Sequence, residues 1–268
     1  MAELPLPPPE ATCLVSAAKI SGSDPEKSLS ERVIAERPVT IAVYRVGEFT
    51  LMCTPIDLEA LAVGFAFTEG MIDSLDDIVS IYRPEDRSEV VALEICDPSK
   101  VVTRRNMIVA SSCGFCGLRT VERTLSDMPK VAGSFGIRRD TLLQMTDRLF
   151  ALQAIHPLTR GAHAAGIFDA EGRIEVFAED IGRHNALDKA LGKQLLARRL
   201  TQGHGVVLSS RASFEMVAKA ARAGIEVLVA AAAPSSLAIE AAGRWNLTLA
   251  ASARSGHATL YTHSSRVT

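Results

Sequence analysis

The spacing of hydrophobic and polar positions changes near residue 30, and this change predicts where the folded part of the chain begins. Residues 1–32 mix Pro, Ser, Gly and charged residues without a sustained helical or strand period. Such a segment predicts a flexible lead-in with at most one short strand, around residues 12–18. Apolar residues then alternate over 39–43 and resume at 49–52 after Gly47, a pattern that is typical of a β-hairpin.

Residues 33–140 are predicted to form an N-terminal α+β part. Thr54 and Asp57 have the Thr-x-x-Asp spacing of a capping box, with Pro55 at the first helical position. They predict a buried helix that ends near Gly70. Further strands are predicted at 78–82, 90–95 and 107–110.

Residues 141–268 are predicted to form a C-terminal α/β domain. A stripe of apolar residues at helical spacing predicts a helix over 142–155 that leads into this part. Strands and helices then alternate with short loops, which is typical of a sheet built from right-handed crossovers. The predicted strands are 164–168, 174–178, 206–208, 227–231 and 248–250, and the predicted helices are 185–199, 214–222 and 237–245.

Composition narrows the class of protein. Of the 268 residues, 47% are hydrophobic and 22% are charged, and the formal net charge is −2. This balance supports a folded core and gives no basic field that would favour nucleic acid. The longest apolar runs, 60–67 and 227–233, are too short to span a membrane, and the first residues lack the pattern of a secretory signal. We therefore predict a cytoplasmic protein that binds neither nucleic acid nor membrane.

Five cysteines, an odd number, favour reduced thiols over a disulfide framework. Two of them, Cys113 and Cys116, stand three positions apart between glycines, directly after a predicted strand. This spacing fits three chemistries: a zinc site, a redox pair, or a loop that carries sulfur as a persulfide. Cys13, Cys53 and Cys96 are isolated from one another, so further zinc ligands are not evident and no metal site is predicted.

A dense polar group follows the predicted strand 174–178. Residues 179–185 contain two carboxylates, a guanidinium, an imidazole and an amide. One residue is enough to cap the next helix, so Arg183 and His184 are predicted to meet a ligand.

Two further turns lead from a strand into a helix, at 209–213 and 233–236. Both carry serines, and the first also carries Arg211. Backbone amides at helix N-termini, together with an arginine, favour a phosphate group. The alternative is that Ser213 and Ser236 simply cap their helices.

His163 begins a His-Ala-Ala sequence that invites comparison with the zinc deaminases. Those enzymes need a glutamate two positions after the histidine, and this chain has Ala165 there. Deaminase chemistry is therefore not predicted.

Taken together, several motifs resemble the FdhD/NarQ family, the formate dehydrogenase accessory sulfurtransferases. The resemblance covers residues 34–261 in the order of the family. The motifs that carry it are Ala62-Val63-Gly64-Phe65 with Glu69-Gly70, Cys113-Gly-Phe-Cys116-Gly, His163-Ala-Ala, Glu179-Asp-Ile-Gly-Arg-His-Asn-Ala-Leu-Asp-Lys189, and Arg211-Ala-Ser213-Phe-Glu215.

The resemblance implies a sulfurtransferase that takes sulfur from a cysteine desulfurase as a persulfide. The sulfur passes to the molybdenum bis-molybdopterin guanine dinucleotide cofactor, which formate dehydrogenase requires for activity. By position, Cys113 corresponds to the persulfide-bearing cysteine and Cys116 to the second thiol. The resemblance also implies a cytidine-deaminase-like fold and a homodimer.

The resemblance further implies a cofactor-binding segment near the C-terminus, formed by Ser252, Ala253, Arg254, Ser255, Gly256 and His257. Two positions depart from the family pattern, because Ser210 replaces a glycine and Ser252 replaces an aromatic residue. The alternatives are a chaperone that binds the cofactor without transferring sulfur, and a redox or zinc protein that uses the two thiols.

Overall fold

The described part of the chain contains three separate β-sheets. The structure is a computed structural model, and it describes residues 6–22, 24–100, 107–109, 118–199 and 201–268. The strands are β1 (Thr12–Ser21), β2 (Asp24–Ile34), β3 (Arg37–Val43), β4 (Gly47–Cys53), β5 (Ile78–Tyr82), β6 (Val90–Ile95), β7 (Met107–Val109), β8 (His163–Phe168), β9 (Ile174–Asp180), β10 (Gly205–Leu208), β11 (Val227–Ala230), β12 (Thr248–Arg254) and β13 (His257–Leu260). The helices are α1 (Leu58–Thr68), α2 (Leu118–Asp127), α3 (Arg139–Leu152), α4 (His156–Thr159), α5 (Arg183–Leu196), α6 (Phe214–Arg222) and α7 (Ser236–Arg244).

The N-terminal segment holds a long hairpin, whereas the sequence predicted at most one short strand. Strands β1 and β2 pair antiparallel from Thr12↔Ile34 to Lys19↔Lys27 and form a sheet of their own. The prediction was wrong here because the strands are rich in Ser, Ala and charged residues, which give no alternating apolar pattern.

The second sheet has the order β5-β6-β3-β4-β7. The predicted hairpin is confirmed as β3 and β4, and the strands predicted at 78–82 and 90–95 are confirmed as β5 and β6. Strand β7 lies parallel to β4, with Val109 opposite Leu51.

The third sheet has the order β13-β12-β11-β10-β8-β9 and confirms an α/β arrangement. Strands β10, β11 and β12 are parallel to one another and are joined through α6 and α7. Strands β8, β9 and β13 add antiparallel pairs at the two sides. The cytidine-deaminase-like fold stays a prediction.

Helices α1 and α5 pack between the second and third sheets. A Cβ atom at Gly192 of α5 would clash with the carbonyl oxygen of Ala60 in α1. Glycine therefore allows the two helices to touch through their backbones. Helix α3 covers the opposite face of the third sheet.

One hydrophobic core includes residues from both sides of position 140. It contains Phe49 and Leu51 of the second sheet together with Val206 and Leu228 of the third. The two predicted parts thus share a core, and the boundary between them stays a prediction. No helix among the described residues has the length and apolar character needed to cross a membrane.

The predicted capping box at Thr54 is wrong. Helix α1 begins only after Asp57, which has a left-handed backbone (φ 53°), and no side chain caps the helix. Thr54 is instead fully buried and contacts the turn before α5, as described below.

Candidate functional site

Most of the candidate binding residues from the sequence analysis lie at one edge of the third sheet. The parallel strands β10, β11 and β12 end there, and β8 begins there because it runs antiparallel to β10. Strand β9 also ends at this edge, since Asp180 lies opposite His163. We call this region the polar edge; it comprises His163, the β9–α5 turn (179–185), the β10–α6 turn (209–213), the β11–α7 turn (231–235) and residues 252–257.

At the end of β9, Glu179 is buried and holds the start of α4. Its carboxylate accepts hydrogen bonds from the backbone N–H groups of Ala154, Ile155 and His156 at 2.8–3.0 Å, and from Nε2 of Gln153 at 3.1 Å. All these partners lie within the protein. Glu179 therefore supports the fold, and it has no capacity left for a ligand.

Asp180 is satisfied in the same way on the other side of the strand. Oδ1 accepts from the N–H of Gly182 at 2.8 Å and from Nδ2 of Asn185 at 3.0 Å. Oδ2 accepts from the N–H of Thr54 at 3.1 Å and from Nζ of Lys189 at 2.6 Å. The buried carboxylate thus orders the whole turn.

The same turn is tied to the end of β4. Lys189 also donates to the carbonyl oxygen of Thr54 at 2.8 Å, and Asn185 donates to that of Met52 at 2.9 Å. The N–H of Ile181 donates to Oγ1 of Thr54 at 3.1 Å. These bonds fix the third sheet against β4, the strand that pairs with β7.

In this turn, the side chain of Arg183 keeps unused hydrogen-bonding capacity within the described part of the chain. Its Nε atom is buried and has no hydrogen-bond partner among the described residues. His184 lies next to it, with Nε2 at 2.7 Å from Oε2 of Glu215 in the first turn of α6. The contact between His184 and Glu215 therefore links the N-termini of α5 and α6, next to the guanidinium of Arg183.

The β10–α6 turn supplies a second arginine. Arg211 is exposed, and its guanidinium has no ion pair or hydrogen bond within the described part of the chain. Ser213 precedes α6, but its side chain does not cap the helix, and its buried Oγ has no partner among the residues described. Ser209, in contrast, accepts a bond from the N–H of Ala164 at 2.8 Å and so supports the sheet.

Helix α7 is capped by a serine, but the residue named in the sequence analysis was wrong. The side chain of Ser235, not that of Ser236, accepts a hydrogen bond from the N–H of Ala238 at 3.2 Å. The β11–α7 turn therefore contributes a helix N-terminus to the polar edge, but its capping serine is already engaged.

His163 stands at the start of β8. Burial lowers the pKa of this imidazole, and the positive charge of Arg183 lowers the pKa further. His163 therefore favours the neutral form beside the unsatisfied guanidinium, and a neutral imidazole can accept a hydrogen bond from a ligand.

Residues 252–257 lie in a hairpin that the sequence did not predict. Strand β12 continues to Arg254, and β13 begins at His257. Ser252 has a left-handed backbone (φ 52°) and donates its N–H to the carbonyl oxygen of Ala232 at 3.1 Å. Ala253 is buried, whereas the other residues of this segment are exposed at the polar edge.

The thiols predicted to be reactive, Cys113 and Cys116, lie outside the described residues. The other three cysteines are free, and only Cys53 among them is buried. Burial, together with the charge of Asp180, raises the pKa of Cys53 to about 12. In the described ranges, no group of three or more His, Cys, Asp or Glu residues could hold a metal ion.

Sequence reasoning missed the supporting roles of Thr54, Lys189 and Glu215. Lys189 was visible as a charged residue inside an apolar helix, four positions after Asn185, so that both project from the same face. Thr54 carried no such signal, because its partner Asp180 is 126 residues away.

Comparison with known proteins shows the family of the chain. The family model described as the FdhD/NarQ family matches residues 34–268. The chain belongs to this family. The match begins at the last residue of β2, so nearly all of the N-terminal hairpin lies outside it.

Curated relatives within the FdhD/NarQ family cover nearly the same length. A protein of Bordetella petrii named sulfur carrier protein FdhD is 39% identical over 243 residues, which is 89% of this chain and 87% of the relative. A protein of the same name from Xanthomonas axonopodis pv. citri is 39% identical over 246 residues, 90% of this chain and 87% of the relative.

A crystal structure shares the fold. It is that of a protein from Desulfotalea psychrophila described as a candidate formate dehydrogenase accessory protein. The TM-score is 0.78 at 24% sequence identity, covering 96% of this chain and 100% of the other.

Proposed function

We propose that the protein is a sulfur carrier with sulfurtransferase activity that serves formate dehydrogenase. Cys113 accepts sulfur from a cysteine desulfurase as a persulfide, and the protein then delivers it to the molybdenum bis-molybdopterin guanine dinucleotide cofactor. The observation that carries the proposal is membership of the FdhD/NarQ family over residues 34–268, with relatives named sulfur carrier protein at 39% identity.

Sulfur uptake needs only a thiolate nucleophile. The thiolate of Cys113 attacks the outer sulfur of the desulfurase persulfide, the sulfur–sulfur bond of the donor breaks, and the donor cysteine leaves as a thiolate. No external oxidant is required, because the sulfane sulfur changes carrier without changing oxidation state. Cys116 is the second thiol of this segment.

The polar edge supports binding of the cargo. A guanine dinucleotide cofactor carries several phosphate groups, which bind well to arginine and to helix N-termini. Arg183 and Arg211 offer guanidinium groups without partners among the described residues, and Oγ of Ser213 is buried and unsatisfied there. His184 and residues 252–257 are proposed to complete this binding surface.

The family resemblance adds two features to the proposal. The protein is proposed to be a homodimer, and its C-terminal part is proposed to have a cytidine-deaminase-like fold. The mixed sheet with three parallel central strands is compatible with that fold.

Maturation of formate dehydrogenase in cells that lack the native carrier tests the proposed function. Wild type and Cys96→Ala, which changes an exposed cysteine, should restore formate dehydrogenase activity. Cys113→Ala should not. If Cys113→Ala restored activity as well as wild type, sulfur transfer through this residue would be wrong and a chaperone that only binds the cofactor would be favoured.

The alternative of a redox or zinc protein makes a different prediction. It requires stoichiometric zinc in the purified protein, or a reversible Cys113–Cys116 disulfide in place of a persulfide. Metal analysis of the purified protein tests for zinc, and the mass of the peptide that contains Cys113 and Cys116 tests for the disulfide.

A further inference from the structure

His163 lies between two turns of the polar edge. Strand β8 lies between β9 and β10 in the third sheet, and His163 is its first residue. On one side it is opposite Asp180, three residues before Arg183. On the other side, the N–H of the next residue donates to Oγ of Ser209 at 2.8 Å, at the start of the β10–α6 turn. The imidazole is therefore placed between the turn that carries Arg183 and the turn that carries Arg211.

The ring of His163 is partly buried and makes no polar contact with the described part of the chain. Neither of its nitrogens forms a hydrogen bond or an ion pair there. Polar groups that lose water on folding usually gain a hydrogen bond in exchange. Nε of Arg183 and Oγ of Ser213, both buried, are also unsatisfied among the described residues. All three side chains can donate a hydrogen bond when the imidazole is protonated, and phosphate oxygens accept such bonds.

Positive charge surrounds this imidazole in the free protein. Arg183 and His184 act on it from the N-terminus of α5, and His156 acts on it from α4. Asp180 acts on it from β9, but that carboxylate is already paired with the ammonium group of Lys189. Burial, and then the charge of Arg183, lower the pKa of the ring, so the free site favours the neutral form.

We propose that His163 is a further contact for the phosphate groups of the cargo, and that it takes up a proton from solvent when they bind. The imidazole becomes an imidazolium, and its new N–H group donates a hydrogen bond to a phosphate oxygen. No other bond forms or breaks. This inference rests on the proposed function, in which the polar edge binds a guanine dinucleotide cofactor.

The charge of the ligand provides the reason for proton uptake. A phosphate group offsets the positive charge of Arg183 and favours the charged form of the ring. A hydrogen bond between an imidazolium and a phosphate is also stronger than one between neutral groups. Because linkage between two bound species is reciprocal, a ligand that promotes protonation binds more tightly when the proton is present. The affinity for the cargo should therefore rise as the pH falls.

Diguanosine diphosphate, two guanosines joined 5′ to 5′ through a pyrophosphate, is the probe. The terminal phosphate of GDP is a monoester, and such groups have a second ionisation near about pH 6. Both phosphates of the probe are esterified and lack that ionisation. Any proton taken up near this pH is therefore bound by the protein and not by the ligand.

Calorimetry in two buffers of different ionisation enthalpy measures the protons taken up per ligand by the full-length protein. At about pH 6.5 the wild type should take up on the order of half a proton, and its dissociation constant should fall roughly fivefold between about pH 7.5 and 6. His163→Gln keeps a polar side chain that does not titrate. This variant should lose more than half of the uptake and most of the pH dependence.

His204→Gln is the matched control. His204 directly precedes β10, at the opposite edge of the sheet, and its Nε2 lies 3.5 Å from Oε2 of Glu175. This variant should take up protons as the wild type does. Binding by the wild type without proton uptake, or a His163→Gln variant that retains at least half of the uptake, would overturn the proposal.

Failure of this inference and failure of the proposed function give different results. A wild type that does not bind the probe at all would contradict cargo binding at the polar edge, and with it the role of His163. Binding without proton uptake would contradict the role of His163 alone. Circular dichroism checks that His163→Gln is folded, and His163→Asn is the second variant for the same measurement.

Discussion

Nζ of Lys189 lies 2.6 Å from Oδ2 of Asp180, and both side chains are completely buried. The pair sits where β9 ends and α5 begins, and the same lysine reaches the end of β4. It therefore joins the third sheet to the second at the base of the polar edge. The turn that carries Arg183 and His184 is ordered by this pair.

Removing the lysine alone should be strongly destabilising. Lys189→Met leaves the carboxylate of Asp180 buried without its cation, and breaking such a pair typically costs about 3–5 kcal/mol. The double variant Lys189→Met/Asp180→Asn removes both charges, so its free energy of unfolding should fall less than that of Lys189→Met. Urea denaturation measures the free energy of unfolding of each variant.

A partly exposed ion pair of the same helix provides the control for Lys189. Nζ of Lys193 lies 2.7 Å from Oδ2 of Asp57, and both side chains are about one-third exposed. Lys193→Met should therefore cost about 1–2 kcal/mol, because the ion pair is weak and one hydrogen bond, to the carbonyl oxygen of Phe177, is also lost. Equal losses at the two lysines would show that the buried pair has no special role.

Arg211 should contribute to binding of a guanine nucleotide at the polar edge. GDP is a suitable probe, because it carries the guanosine and the two phosphate groups of one dinucleotide unit of the proposed cofactor. Loss of a hydrogen bond between charged groups costs about 1.5–3 kcal/mol, so Arg211→Gln should weaken GDP binding roughly 10- to 100-fold in calorimetry.

Arg173→Gln is the matched control for Arg211. Arg173 is exposed and pairs with Asp169 in the β8–β9 turn, at the opposite edge of the sheet. Its substitution should leave the affinity for GDP unchanged. Similar losses in both variants would point to a general effect of charge and not to a site.

His163 should make stability depend on pH. Burial lowers the pKa of the folded-state imidazole, so below about pH 6.5 the unfolded chain binds more protons than the folded one. The contribution of His163 to the free energy of unfolding is therefore fully present above about pH 6.5, and it is lost as the pH drops towards the pKa of the folded state. Urea denaturation between about pH 7.5 and 5.5 should show a larger loss for wild type than for His163→Gln, and identical pH profiles would contradict this assignment.

Much of the fold follows from local patterns. The alternating residues of β3 and β4 and the short apolar strands of the third sheet predicted these elements to within a few residues, because buried faces impose a period on the sequence. The sequence did not predict the hairpin of β1 and β2 or the terminal strand β13. Their faces are largely exposed, so no apolar period marks them.

The positions of the candidate residues in the fold were easier to predict than their contacts, and their role as a binding site stays a prediction. Turns after strands pointed to Arg183, Arg211 and Ser213, since such turns meet at one edge of an α/β sheet. The sequence did not show which residues support the turn and which are left to bind a ligand. Lys189 and Thr54, for example, are 135 residues apart and meet only in the folded chain. The supporting roles of Glu179 and Asp180, which hold the backbone around this turn, were therefore not predicted.

Cys53 should be inert in any labelling or sulfur-transfer experiment. It is completely buried, and its pKa is raised to about 12, so very little thiolate exists near neutral pH. Iodoacetamide at about pH 8 should alkylate the exposed Cys13 and Cys96 but not Cys53 in the folded protein, as read by peptide mass. Alkylation of Cys53 at the rate of Cys13 would show that this part of the core opens readily.

The most direct test of sulfur carriage is the mass of the peptide that contains Cys113 and Cys116. The purified protein is incubated with a cysteine desulfurase and cysteine, with Cys113→Ala as the control. The account predicts a gain of about 32 Da, one sulfur atom, which is lost on reduction and is absent in the control. No gain in the wild type, or sulfur on Cys13 or Cys96 alone, would contradict the assignment of this protein as a sulfur carrier through Cys113.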